Sequence, residues 1–291
     1  MRCRVGITLG DQAGVGPEIV RAALSSGRLT GDADYSVIGS PIDCSLGQPN
    51  RATAQAARDA LEEAARLALR GEIDAVVTAP IHKAGMYEIG FQFPGQTEFF
   101  AERCGVENFA MLLTGGKLTV ALATVHLPLR EVPAALKTGE IVRVGLLLRD
   151  FLRRRGLPTP RIAVAGLNPH AGESGALGTE EREIIEPAVR SLQSANDNLK
   201  SAIFFGPFSP DTIFYHAANG DWDAVLCMYH DQGLIPLKLH AFHSGVNVTL
   251  GLPFPRTSPD HGTAFNIAGT NVARPDSMIA AINLAVELAR K

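Results

Sequence analysis

Short apolar runs that alternate with helical stretches are the feature that most constrains the fold of this chain. Residues 4–9 form the first run, and a glycine-bearing turn and the helical residues 17–25 follow it. Residues 51–70 have apolar positions at helical spacing and end at Gly71, and residues 75–78 then form another apolar run. Strands separated by helices pair in parallel, so the pattern predicts an α/β protein with mainly parallel strands.

The rest of the chain continues this alternation and suggests a division into two domains. Further strands are predicted at residues 118–124, 161–165 and 224–228, an antiparallel strand at 245–250, and a closing helix at 277–290. Residues 39–50 are rich in Gly and Pro and predict a loop. Chain crossings near Phe93 and Pro253 predict one domain from residues 1–95 plus 255–291 and a second from 96–254. A small-molecule site is expected in a cleft between them.

Charge and composition exclude several classes of function. The 27 Lys and Arg against 30 Asp and Glu give a net charge of -3, without the basic surface that nucleic acid requires. The N-terminus reaches a glycine turn before any apolar run of signal-peptide length, and no segment has the roughly 20 apolar residues that span a bilayer. Four scattered cysteines without a Cys-x-x-Cys pair suit a reducing compartment. We therefore expect a cytoplasmic protein without nucleic-acid or membrane partners.

Three predicted strands run directly into a histidine: ALATVHLPLR with His126, AVAGLNPHAG with His170, and AVLCMYHDQG with His230. The carboxyl ends of parallel strands face one crevice, so these imidazoles are expected to converge there. A single histidine in such a place is often only a hydrogen-bonded loop residue. Three of them favour a divalent-metal site with an open coordination position. Asp211 and Asp231 either orient these ligands or hold a proton, unless they are plain surface caps.

Two further patterns concern anions. Lys238, Asn247 and Arg256 lie among apolar, Gly and Pro residues and supply two cations and an amide suited to a phosphate monoester. The loop GDQAGVGPE follows a strand and opens a helix, so its N–H groups are able to receive an anion. Ile19, however, replaces the third glycine of the dinucleotide fingerprint, and close strand–helix packing explains the glycines equally well.

Long motifs distributed along nearly the whole chain resemble the 4-hydroxythreonine-4-phosphate dehydrogenase (PdxA) family. They are GDQAGVGPEI, VVTAPIHKAGM, FPGQTEFFAE, ATVHLPLR, GLNPHAGESGALGTEE, DAVLCMYHDQGLIPLK and VNVTLGLPFPRTSPDHGTAFNIAG. The resemblance implies the two-domain α/β/α fold of isocitrate and isopropylmalate dehydrogenases. It also implies NAD or NADP, one divalent metal ion (Zn, Mg or Co), and a homodimer whose interdomain active site is shared across the interface.

Residue roles follow from the matching motifs. His126, His170 and His230 resemble the family's metal ligands. The residues that match its substrate contacts are Thr97, Lys238, Asn247 and Arg256, and those that match the nucleotide-binding loop are His261, Gly262, Thr263 and Asn266. Gln96 stands where the family pattern GHTEFF has a histidine. Asn266 replaces the acid of NAD-preferring relatives, so NAD and NADP both stay open. The segment 39–50 is shorter than the family's by several tens of residues.

The implied reaction oxidises the secondary alcohol of 4-phosphooxy-L-threonine, with decarboxylation to 3-amino-2-oxopropyl phosphate, in pyridoxal phosphate biosynthesis. Asp231, Asp211, Lys83 and a metal-bound hydroxide are all candidates for the base. Because Gln96 departs from the pattern, 4-phospho-threonate or 4-phospho-erythronate is an alternative phosphorylated substrate. A three-histidine metallohydrolase and a non-catalytic phosphometabolite-binding protein are alternatives of other classes.

Overall fold

The computed structural model describes residues 2–195 and 203–290, which form two compact units. The first unit comprises residues 1–107 and 243–291, and the second comprises residues 108–242. The boundaries that the sequence predicts place Gln96, Thr97 and Asn247 in the second domain, whereas these residues belong to the first compact unit. The metal-ligand candidates His126, His170 and His230 all belong to the second unit.

Strands and helices alternate along the described residues, as the apolar pattern predicts. The strands are β1 (Cys3–Thr8), β2 (Ala33–Ile38), β3 (Ala75–Thr78), β4 (Ala110–Gly115), β5 (Leu118–Leu122), β6 (Ile162–Ala165), β7 (Phe204–Phe208), β8 (Ala224–Cys227), β9 (Val246–Leu250) and β10 (Arg256–Pro259). The helices are α1 (Gly16–Leu24), α2 (Arg51–Leu69), α3 (Lys83–Glu88), α4 (Gln96–Arg103), α5 (Val132–Ala135), α6 (Thr138–Arg154), α7 (Glu186–Ser194), α8 (Ile213–Ala218), α9 (His230–Ala241) and α10 (Asp276–Ala289).

In the first unit the strands follow the order β2-β1-β3-β10-β9. They pair in parallel except at β9, which runs antiparallel to β10, as the alternation of residues 245–250 predicts. Every residue of β3 and β10 is buried, and so are Val5 and Ile7 of β1. Helix α10 packs against β10, and α2 contacts β1 and β3. The alanines on one face of α2 allow that close approach, because they carry no bulk beyond Cβ.

In the second unit the strands follow the order β4-β5-β8-β6-β7. Strands β4 and β5 form an antiparallel hairpin, and β5, β8, β6 and β7 pair in parallel. The predicted strands that run into a histidine are β5, β8 and β6, and these three are immediate neighbours in the sheet. Their carboxyl ends therefore lie along one edge, which positions the candidate site.

The helix over residues 51–70 is confirmed, and its start has a defined chemical cause. The side chain of Asn50 accepts hydrogen bonds from the backbone N–H groups of Ala52 and Thr53. The hydroxyl of Thr53 accepts the N–H of Asn50 in return, which completes a capping box. Residues 39–50 form the predicted loop. None of the helices within residues 2–195 and 203–290 is both long and apolar enough to cross a bilayer.

We predict that Asn50→Ala lowers stability by about 1 kcal/mol, because two N–H groups of the first turn of α2 lose their acceptor. The measurement is the urea midpoint of unfolding, followed by circular dichroism. Gln48→Ala is the control, since its exposed side chain lies just before the cap. Equal midpoints for the two variants would contradict the prediction.

Candidate active site

The three histidines lie just beyond the carboxyl ends of adjacent parallel strands. His126 lies four residues after β5, His170 lies five residues after β6, and His230 is the first residue of α9, three residues after β8. His126 and His170 are exposed and His230 is half-buried. The sheet order therefore brings three distant parts of the sequence to one edge.

Buried hydrogen bonds tie these strand ends to one another. The hydroxyl of Thr124 donates to the carbonyl of Met228 over 2.7 Å and so joins the ends of β5 and β8. Gln232, only 6% exposed, joins β8 to β6. Its amide nitrogen donates to the carbonyl of Gly166 and its oxygen accepts the N–H of Met228, both over 2.7 Å. Buried polar groups satisfied in this way hold one geometry, because breaking any of the bonds leaves an unpaired group in the interior.

His126 and His230 are neighbours, with ring centroids 5.5 Å apart. Nδ1 of His230 lies 2.7 Å from a carboxylate oxygen of Asp231, and such a contact fixes the ring and leaves Nε2 for another partner. Both rings line a pocket of about 190 Å³ whose other walls include Tyr229 and Leu129. Two imidazoles, one of them held by a carboxylate, are a donor set suited to a divalent transition metal.

His170 lies in a turn of unusual backbone conformation. Residues 170–174 all have positive φ, from 42° to 79°, so that they form one turn of left-handed helix. Each non-glycine residue there costs about 1–2 kcal/mol, so surrounding contacts must impose the turn. Among the residues that the structure describes, no three His, Cys, Asp or Glu side chains are grouped to hold a metal ion. A single chain thus brings His126 and His230 together without adding His170 to them.

The two aspartates have different surroundings. Asp231 contacts His230, and its side chain is otherwise exposed. The hydroxyl of Ser209 donates to the carboxylate of Asp211 and is the main cause that lowers the pKa of Asp211. Asp211 is therefore an ionised carboxylate. Lys83, the third candidate for the base, is the exposed first residue of α3.

Arg256 is a buried cation surrounded by neutral partners. Its side chain is 2% exposed, and it donates to the hydroxyls of Thr78 and Thr249 and to the side-chain oxygen of Gln96. Its Nε has no hydrogen-bond partner. Burial lowers the pKa of the guanidinium to about 10. Arg256 forms no ion pair within the described ranges, although the carboxylate of Glu98 acts on it at longer range and opposes the lowering of its pKa. A bound anion would stabilise this buried positive charge further.

Two other predicted substrate contacts, Gln96 and Thr97, lie close to Arg256 in the first unit. The hydroxyl of Thr97 lies 3.3 Å from that of Thr249. The amide nitrogen of Gln96 donates to the carbonyl of Ala79, and its oxygen accepts from Arg256, so Gln96 fixes the guanidinium to the end of β3. Asn247 on β9 has a buried side-chain oxygen with no partner in the described part of the chain. Lys238 belongs to α9 of the second unit and is half-buried.

The glycine loop packs against the predicted nucleotide loop. The N–H of Val15 donates to the carbonyl of Thr263, and a Cβ at Gly14 would lie 2.6 Å from that oxygen. A Cβ at Gly16 would lie 2.1 Å from the carbonyl of Leu9. The N–H groups of residues 13–15 are thus engaged within the protein. Close packing, rather than an anion cradle, accounts for these glycines.

The loop over residues 261–266 carries the remaining candidates. His261 Nδ1 contacts the carbonyl of Gly262, and Asn266 is exposed in a short 3₁₀ turn, Phe265–Ile267. The ring of His82 packs edge-on against Phe265 at 5.2 Å, and its buried Nδ1 has no partner within the described residues. Sequence reasoning missed His82. The only signal for it was its position shortly after β3.

Gln232 and Thr124 were also missed, although both bind the strand ends that carry the histidines. Their sequence signal is position alone: Thr124 lies two residues before His126, and Gln232 two residues after His230. A polar residue so close to a strand end is ordinarily a surface residue, and its burial depends on the order of strands in the sheet.

The fold is shared with decarboxylating dehydrogenases. A β-decarboxylating dehydrogenase from Thermococcus kodakarensis superposes with a TM-score of 0.54 at 17% identity, over 97% of this chain and 81% of the other. The isocitrate dehydrogenase from Methylococcus capsulatus gives 0.54 at 14% identity, over 98% and 87%. These similarities confirm the predicted α/β fold class.

Closer similarities define the family. The model of the pyridoxal phosphate biosynthetic protein PdxA matches residues 18–285. The 4-hydroxythreonine-4-phosphate dehydrogenase of Maricaulis maris is 44% identical over 98% of this chain and 97% of its own length. The crystal structure of that enzyme from Klebsiella pneumoniae superposes with a TM-score of 0.85 at 36% identity, over 99% of this chain and 100% of the other. The chain belongs to the PdxA family.

We predict that Gln232→Leu destabilises the protein by about 2–4 kcal/mol, because it leaves the N–H of Met228 and the carbonyl of Gly166 buried without partners. Thermal unfolding followed by circular dichroism measures this loss. Gln92→Leu is the control, because Gln92 is exposed. A loss no larger than that of the control would show that these bonds do not hold the strand ends.

Proposed function

We propose that this protein is a metal-dependent, NAD(P)-linked dehydrogenase that oxidises the secondary alcohol of 4-phosphooxy-L-threonine. Loss of CO₂ from the resulting β-keto acid would give 3-amino-2-oxopropyl phosphate for pyridoxal phosphate biosynthesis. The main observation in support is that His126 and His230 lie next to each other at the edge of the sheet. The relatives of this chain are 4-hydroxythreonine-4-phosphate dehydrogenases. Its four cysteines are free, which suits a cytoplasmic location.

His126 and His230 would hold a divalent cation (Zn, Mg or Co), with His170 as the third ligand. When bound, the cation stabilises negative charge on the alcohol oxygen while the NAD-type cofactor accepts the hydride. Asp231 orients the ring of His230, so we assign it an orienting role before that of a base. Asp211, an exposed carboxylate that accepts a hydrogen bond from the hydroxyl of Ser209, is a candidate for the proton acceptor. Lys83 is the alternative.

We assign the phosphate to Arg256, because a buried guanidinium without a carboxylate partner gains most from a bound anion. Thr97 adds a hydroxyl beside it and Asn247 adds an amide. Lys238 is the second cation of this set. Binding the phosphate away from the reacting carbon orients the alcohol without taking part in the chemistry.

Gln96 supports a second candidate substrate class. Its oxygen accepts from Arg256 and its nitrogen donates to the carbonyl of Ala79, so both ends of its amide are already engaged. A neutral side chain held in this way does not supply the ionisable imidazole that the family pattern has at this position. Substrates without the amine, 4-phospho-threonate or 4-phospho-erythronate, are therefore the alternative.

The nucleotide would bind at His261, Gly262, Thr263 and Asn266. Asn266 is neutral and exposed, so it neither repels the 2′-phosphate of NADP nor offers a carboxylate to the ribose of NAD. We propose that either cofactor is accepted. The assay below compares them directly.

We propose a homodimer in which a second copy completes the site. Helix α9 begins at His230, and its residues Ile235 and Leu239 are 66% and 88% exposed. Leu127 and Leu129, beside His126, are also exposed. Apolar side chains around two ligand candidates suit burial by another protein surface. A second copy would then be placed to bring a further ligand, His170, to the pair.

The test is a spectrophotometric assay of reduced nicotinamide, with a panel of phosphorylated hydroxy acids and amino acids, NAD or NADP, and added divalent metal. His126→Ala and His230→Ala are each expected to lower kcat more than 100-fold, because each removes one of the few metal ligands. His216→Ala is the matched control, since His216 forms a similar contact with Asp221 on the surface. Folded variants with near-normal, chelator-insensitive turnover would refute the metal assignment.

The phosphate assignment predicts that Arg256→Met raises KM on the order of 10- to 100-fold, which corresponds to a lost charge-assisted hydrogen bond. Because burial lowers the pKa of Arg256 to about 10, its charged form costs stability at every pH below that value, and a bound anion offsets the cost. Inorganic phosphate should therefore raise the Tm of the wild type but not of Arg256→Met. The exposed Arg130→Met is the control. Equal KM values would rule out this role.

A further inference from the structure

The turn that carries His170 needs an external constraint. Five consecutive residues, 170–174, have left-handed backbone angles, and only Gly172 among them tolerates these angles without strain. Such conformations persist when the surrounding structure imposes them, and they gather at functional sites. Contacts with the surrounding residues must therefore impose the turn.

Glu181 supplies contacts at the start of the turn. One oxygen of its carboxylate accepts the backbone N–H groups of Leu167 and Asn168, each over 2.7 Å. The other oxygen accepts the side-chain amide of Asn168 over 3.0 Å. These two residues directly precede Pro169 and His170. Glu181 therefore fixes the backbone at the point from which the left-handed turn departs.

The turn also wraps closely around the same carboxylate. A Cβ at Gly172 would lie 2.6 Å from the second oxygen of Glu181, so only glycine permits this approach. The N–H of Leu177 donates to the carbonyl of Gly172 and closes the turn. Glu181 itself begins a π-helical turn, Glu181–Ile185, immediately before α7. Such turns frequently occur at functional sites.

The charge of Glu181 has no cationic partner. The residue is 3% exposed, and within residues 2–195 and 203–290 it forms no ion pair, so N–H donors alone balance the carboxylate. Burying an anion in this way is costly and is a poor means of stabilising a fold. A role in holding one backbone geometry accounts for the charge.

We propose that Glu181 is a positioning residue that holds the left-handed turn and thereby presents His170 for metal binding. The inference rests on the proposed function only in taking His170 as a ligand. Its first readout, the rigidity of the turn, does not involve metal. Residues that orient metal ligands without touching the metal typically contribute 10- to 100-fold in affinity.

The test compares Glu181→Gln with Glu183→Gln in the full-length protein. The glutamine has the same shape but places an amide donor against either the backbone N–H groups or the amide of Asn168. Amide hydrogen exchange of residues 167–177, without metal, should become at least about tenfold faster in Glu181→Gln only. The dissociation constant for Co²⁺, followed by its visible absorption, should rise about 10- to 100-fold. Glu183 is exposed and is the matched control.

A second-site variant separates positioning from general destabilisation. Ser174 has φ 57°, and Ser174→Gly lowers the conformational strain energy of that backbone geometry. Added to Glu181→Gln, it should restore part of the Co²⁺ affinity. If Glu181→Gln does not fold, Gly172→Ala tests the same contact, because the added methyl group must displace the carboxylate or the turn. It should change exchange and affinity in the same directions.

Exchange rates and Co²⁺ affinity equal to those of Glu183→Gln would overturn the inference. His170→Ala distinguishes the two proposals. If it leaves Co²⁺ affinity unchanged, the ligand role of His170 fails, and the exchange measurement still decides whether Glu181 holds the turn. If it abolishes affinity while Glu181→Gln changes neither readout, only the positioning role fails.

Discussion

The candidate site depends on the hydrogen bonds that Gln232 forms beneath it. One buried amide links the carbonyl of Gly166 at the end of β6 with the N–H of Met228 at the end of β8, and Thr124 links Met228 to the end of β5. Strands β5, β6 and β8 end at Leu122, Ala165 and Cys227, and each histidine lies three to five residues beyond the end of its strand. Backbone bonds such as that from the N–H of Thr124 to the carbonyl of Met228 extend the pairing slightly, and the side chains of Gln232 and Thr124 add further links between the strand ends. The positions of the three histidines thus depend on buried groups that are not themselves candidate ligands.

The loop over residues 39–50 is hydrogen-bonded to the glycine loop that follows β1. The alignment with the Maricaulis maris protein spans 336 positions, although this chain has 291 residues, so that relative has additional residues. In this chain the amide nitrogen of Gln12 donates to the carbonyl of Ser40, and its oxygen accepts the N–H of Ile42. The N–H of Gly47 donates to the carbonyl of Ala13. Three hydrogen bonds therefore hold residues 39–50 against the glycine loop.

Local patterns predicted much of the fold because each element leaves a local signal. The boundaries of α2 follow from its alanine periodicity and from Asn50, and β3 from four apolar residues after Gly71. Strands β2, β4, β7 and β10 were missed. Asp34 and Ser36 interrupt β2, Gly and Pro interrupt β7, and Arg256 begins β10 with a charge. The sequence also identified the histidines, since each follows an apolar run. It gave no sign that His170 stands in a left-handed turn, because that conformation results from Glu181, eleven residues later.

Arg256 and Glu181 show how surroundings give two buried charges opposite roles. Each is at most 3% exposed, and neither forms an ion pair within the described residues. Glu181 accepts three N–H hydrogen bonds from the consecutive residues Leu167 and Asn168. These bonds fix the backbone just before the turn that carries His170. Arg256 donates hydrogen bonds to hydroxyl and amide oxygens and lies over the ring of Phe100, and its Nε has no hydrogen-bond partner in the described part of the chain. The carboxylate of Glu181 is hydrogen-bonded within the protein and so stabilises the local structure. The guanidinium of Arg256 has an unused donor, so an anionic ligand would stabilise it.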